Sequence, residues 1–101
     1  MTDQDYTNDE HAEFARDCAR VCGELRDMLI AKNKAYGNSA LNPQRVFSRA
    51  GPEEQIRVRM DDKLSRIRNA QATGTADIED AERDLAGYLV LLLIAKERAA
   101  K

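Results

Sequence analysis

"LAGYLVLLLIA", Leu85 to Ala95, is the stretch on which the fold turns. It is apolar on every side of a helix, yet too short to cross a bilayer, which takes about 20 apolar residues. It therefore reads as a buried helix, either central in a bundle or at a subunit interface. The helix is expected to begin near Thr75 to Asp77 and to continue to about Ala99. Its first half is polar with an apolar edge.

Upstream, "QATGTAD" ends a second helix that Pro52 opens. Proline suits the first helical position, and Glu53 and Glu54 in the first turn suit the helix dipole. Ile56, Met60, Leu64 and Ile67 form its expected core stripe. A first helix is expected from a cap at Asn8 or Asp9 to about Tyr36. Cys18, Val21, Cys22, Leu25, Met28 and Leu29 recur there at helical spacing. Gly37 is placed to end it. Between Ser39 and Gly51, "NPQRVF" is expected to form one short helical turn, with Asn42 as cap and Pro43 behind it. The expectation is an all-α bundle of three main helices plus one short helix. Residues 1–8 would be a flexible N-terminus and residues 9–101 a single domain.

At 101 residues the chain suits one small domain with a thin stability margin. It has no tryptophan and few other aromatics, so Leu, Ile, Val, Ala and Met must build the core. Small bundles of this kind often associate, and a homo-oligomer is expected. The net charge of -2 argues against general nucleic-acid binding. The charge is uneven: the first residues and Asp77 to Asp84 are acidic, while Arg45 to Arg68 is basic. Cys18 and Cys22 stand four apart, where a disulfide has poor geometry. They read as reduced thiols and small core residues. The N-terminus carries no secretory signal pattern, so a cytoplasmic protein without a membrane association is expected.

Asp77, Asp80 and Asp84 form one acidic stripe on the last helix. No lysine or arginine follows four residues on, so something outside the helix should neutralise them. Three readings stand: a divalent metal, salt bridges to Arg59 or Arg66 on the facing helix, or, for Asp77, a helix cap. Arg59, Asp62 and Arg66 form a matching stripe beside Lys63. If the stripes face each other, carboxylates for a metal and cations for phosphate oxygens share a cleft. The alternative is a polar seam between helices. In "KNKAYGNS", Lys32 to Ser39, capping accounts for Gly37. Tyr36 can stack on a base or pack on the bundle, and Asn33, Asn38 and Ser39 can read polar ligand edges. Lys32 and Lys34 read as solvated.

The run "KNKAYGNSALNPQRVFSRAGPEEQIRVRMDDKLSRI", followed by "DIEDAERDLAGYLVLLLIA", resembles the family called nucleotide modification associated domain 1. That family is frequent in phage and actinobacterial genomes. It is related to the MazG-like all-α nucleoside triphosphate pyrophosphohydrolases. The resemblance spans Lys32 to Ala95 and implies an oligomeric MazG-like bundle that acts on a nucleotide. By that resemblance Asp62, Asp80 and Asp84 would hold Mg2+, and Asp62 and Lys63 would be catalytic. Arg59, Arg66 and Lys63 would meet phosphate, and Asn33, Tyr36, Asn38 and Ser39 the base and sugar. The chain departs from the superfamily's paired E-x-x-E and E-x-x-D motifs at Ser65 and Ala81. Two functions therefore stand side by side. One is a Mg2+-dependent nucleotide pyrophosphohydrolase. The other is a non-catalytic nucleotide-binding protein, such as a phage sponge for a nucleotide or cyclic nucleotide immune signal.

Overall fold

The computed structural model describes residues 7–74 and 78–101, with residues 78 and 79 described by their backbone. Among them the chain is all-helical: α1 spans Asn8–Ala35, α2 Pro52–Thr73 and α3 Ile78–Ala99. No helix among the described residues is long and apolar enough to cross a membrane. Contacts divide the chain into two compact units, Met1–Ala31 and Lys32–Lys101.

The first unit is the body of α1. Its start is set by Thr7 rather than by Asn8 or Asp9. The Thr7 Oγ1 accepts from the Glu10 amide at 3.1 Å, and the Thr7 amide donates to Glu10 Oε2 at 2.9 Å. This is a reciprocal capping box, and its T-x-x-E signature is present in the sequence. No residue of α1 is buried. Cys18 and Cys22, expected in a core, are exposed free thiols.

In the second unit α2 and α3 form an antiparallel pair. Lys63 meets Asp84 toward the C-terminal end of α2, and nearer its start Ile56 packs with Leu92 and Ala95. Leu41, Met60, Tyr88 and Leu91 close around that centre. Ile56 is 1% exposed, but Leu64 of the expected stripe is 50% exposed. The turn of α2 that would have buried Leu64 instead tucks in Lys63, whose side chain is 14% exposed. Helix ends follow local chemistry. Gly51 caps α2 with Pro52 behind it, and Gly74, in the left-handed region at φ 67°, donates its amide to Ala70 and ends it. The last helix has its apolar half only partly covered: Leu92 is buried, while Leu89 and Leu93 are 46% and 64% exposed.

The expected short helix at "NPQRVF" does not form; residues 42–51 are bends and irregular chain. The Asn42 amide is donated to the Asn38 carbonyl at 2.9 Å, so Asn42 closes the turn before it instead of opening one after it.

Candidate functional site

The last turn of α1 and the residues just after it belong to the second unit. Ala35 is the last helical residue, and both Gly37 (φ 63°) and Asn38 (φ 62°) take the left-handed conformation. The Asn38 amide reaches back to the Asn33 carbonyl at 3.0 Å, the long bond of a Schellman ending. Asparagine is among the few non-glycine residues that accept this backbone. Part of the polar character of "YGNS" is thus conformational: Asn38 has a backbone reason to be there, as Gly37 has.

This turn delivers Lys32 to α3. Its Nζ lies 2.9 Å from Asp84 Oδ1. From α2, Lys63 Nζ lies 3.2 Å from Asp84 Oδ2. One carboxylate therefore bridges two ammonium groups drawn from two other helices. Burial raises the Asp84 pKa, but the hydrogen bonds from Lys32 and Lys63 outweigh it and hold the group below its ordinary 3.8. The hydrogen bond to Asp84 raises Lys32 above 10.5 against the desolvation that lowers it, with smaller contributions from Asp84's charge and from Tyr36 and Tyr88. Tyr36 is 68% exposed, and Tyr88 is half-buried.

Of the acidic stripe, Asp84 is neutralised from outside its helix, by Lys63 and Lys32 and not by Arg59 or Arg66, while Asp80 makes no ion pair among the described residues. Lys32, read as solvated, was missed. The signal for it was a cation in the last helical turn beside an acidic stripe lacking internal partners. Asp62 and Arg66 do not join the cluster: they pair with each other along α2 at 3.3 Å, with side chains 59% and 65% exposed. Arg59 and Asp80 are exposed, as are Asn33 and Tyr36; Asn38 and Ser39 are half-buried. Asp77 lies outside the described residues.

The resemblance implies a Mg2+ ion on Asp62, Asp80 and Asp84. Such an ion takes open carboxylate oxygens in a near-octahedral shell. These residues do not fit one. Both Asp84 oxygens are held by ammonium groups, and Asp62 is held by Arg66. Among the described residues no group of three His, Cys, Asp or Glu side chains is placed to hold an ion.

What the cluster offers is cationic. An ammonium has three N–H donors, so each lysine keeps donors beyond the one given to Asp84. Comparison with family models, with curated proteins and with solved structures gave no match for this chain.

Proposed function

We propose that the chain is a nucleotide-binding protein whose phosphate subsite is the ammonium pair of Lys32 and Lys63. Asp84 is its internal counter-ion, which an incoming phosphate competes with or displaces. One observation carries the reading: two ammonium groups from separate helices sit on the two oxygens of a single carboxylate. The cluster keeps one net positive charge and unused donors, the chemistry that phosphate oxygens seek. The exposed ring of Tyr36, four residues beyond Lys32, supplies a stacking face for a base. Asn33 and Ser39 supply short polar groups for the sugar and base edges.

Binding is favoured over hydrolysis because two of the three candidate metal ligands, Asp62 and Asp84, are paired with cations within the chain. A pyrophosphohydrolase would need carboxylates free to organise a metal and water. The reading also includes a homo-oligomer through the outer face of α3, where Leu89 and Leu93 stand one turn apart and exposed.

The test is a screen of nucleoside mono-, di- and triphosphates and cyclic nucleotides, with and without Mg2+, read by calorimetry and by chromatography of products. Binding without product supports the reading. Mg2+-dependent release of pyrophosphate replaces it with the hydrolase. Absence of binding reduces the cluster to a clasp that holds the end of α1 to the helical pair.

A further inference from the structure

On the far end of the helical pair from the lysine cluster, the start of α2 and the end of α3 form an open pocket of about 590 Å3. Leu41, Pro52, Ala95 and Ala99 give it apolar lining, and Glu53, Glu54, Arg57 and Arg98 give it charged lining. Neither Glu54 nor Arg98 makes an ion pair among the described residues, whereas the neighbouring Glu53 and Arg57 satisfy each other at 3.7 Å. The volume lies within the usual range for a ligand pocket, about 300–1,000 Å3.

Just before it in the chain runs "RVFSR", Arg45 to Arg49. Phe47 is 100% exposed and Val46 75% exposed. An aromatic side chain buries about 150–250 Å2 when it is covered, so Phe47 leaves a large area in water. Arg45 and Arg49, which flank it, are exposed and make no ion pair among the described residues. The base of this loop is held. Ala50 donates its amide to Ser48 Oγ at 3.1 Å, and its carbonyl accepts from Gln55 Nε2 at 2.8 Å. These two bonds hold the exit into α2, and Phe47 is not among the residues that line its own chain's pocket.

We propose that the cavity is the docking site for the Arg45–Arg49 loop of a second copy of this chain, with Phe47 as the inserted side chain. The apolar lining of Leu41, Pro52, Ala95 and Ala99 receives the ring. Glu54 meets an arginine that flanks it, and Arg98 lies over the ring's face, where a guanidinium is attracted to the aromatic quadrupole. Because every copy carries both the loop and the cavity, two copies exchange Phe47 reciprocally about a two-fold axis. The contact uses a different surface from the outer face of α3 and does not rest on nucleotide binding.

Phe47→Ala and Ala99→Trp test it, each checked for helicity by circular dichroism. The first removes the knob from a fully exposed position, and the second fills the hole. Self-association is measured by sedimentation velocity over a wide concentration range. Each variant alone is expected to associate at least about tenfold more weakly than the parent chain, as for the loss of an interface anchor. A one-to-one mixture of the two is expected to associate more strongly than either alone, since it restores one intact Phe47–cavity contact. Phe47→Trp adds the chain's sole tryptophan, and its emission is expected to shift to the blue as concentration rises. A parent chain that stays monomeric overturns the proposal. So does a Phe47→Ala variant that associates like the parent, or a mixture no better than its components.

Discussion

Lys63 Nζ lies 3.2 Å from Asp84 Oδ2, and this bond joins α2 to α3 at a position where a core leucine was expected to do so. Lys63 is 14% exposed and Asp84 24% exposed, so the pair is shielded more than an ordinary surface bridge. Asp84 also accepts from Lys32, whose side chain is 48% exposed. A carboxylate with two cationic partners is a tie between helices and, in the proposed reading, the counter-ion that a phosphate displaces.

Asp84→Asn separates these roles. It removes the charge that both ammonium groups face and leaves Lys63 half-buried without its counter-ion. Stability is expected to fall by about 1 kcal/mol, a modest figure because Lys32 is half exposed and solvent-screened. Affinity for a phosphate ligand is expected to rise, and without Mg2+, because the competing carboxylate is gone. Denaturant titration and calorimetry measure the two effects. Loss of a Mg2+-dependent affinity would instead mark Asp84 as a metal ligand.

The same cluster gives a pH signature. The Asp84 pKa is lowered in the folded chain, so its stabilisation is present above 3.8 and is lost as pH falls through the folded value, which lies lower. The Lys32 pKa is raised, so its contribution is present below 10.5 and is lost as pH rises through a folded value above that. The difference in melting temperature between the parent chain and Asp84→Asn is therefore expected to be flat between these limits and to shrink outside both. A difference that varies across neutral pH would point to other groups.

Tyr36→Leu tests the stacking face. The ring is 68% exposed, so its removal is expected to move the melting temperature little. Nucleotide affinity is expected to fall by about 1–3 kcal/mol, the range for base–aromatic stacking. Titration of the best ligand from the screen reads this directly. A melting change with unaltered affinity would assign the ring to packing.

Gly37→Ala isolates the helix ending. An added Cβ would meet no atom within 4 Å, so no clash is introduced, but φ is 63°. The cost is that of a left-handed backbone for an L residue, about 1–2 kcal/mol. If the turn relaxes to escape this strain, Lys32 is displaced from Asp84, and phosphate affinity is expected to fall with stability. Chemical denaturation and calorimetry on one sample show whether the two losses travel together.

The residues themselves determined the elements and their ends. Thr7 with Glu10, Asn38 beside the left-handed Gly37, Gly51 with Pro52, and Gly74 each act through bonds to residues at most five apart, so local sequence carries the information. The helical class of Leu85 to Ala95 and the need to neutralise Asp84 from outside were likewise legible, because helical spacing sets which side chains share a face. Local sequence did not determine which cation would do it. Lys32 and Asp84 are 52 positions apart, and their meeting depends on how the end of α1 is turned and how α2 is rotated against α3. Successive residues on a helix differ by about 100°, so the choice between Lys63 and Leu64 as the inward residue is a matter of one position. Packing of Ile56 against Leu92 and Ala95 made that choice. The same packing joined Leu41, Pro52, Ala95 and Ala99 into one cavity, which no spacing within a single helix encodes.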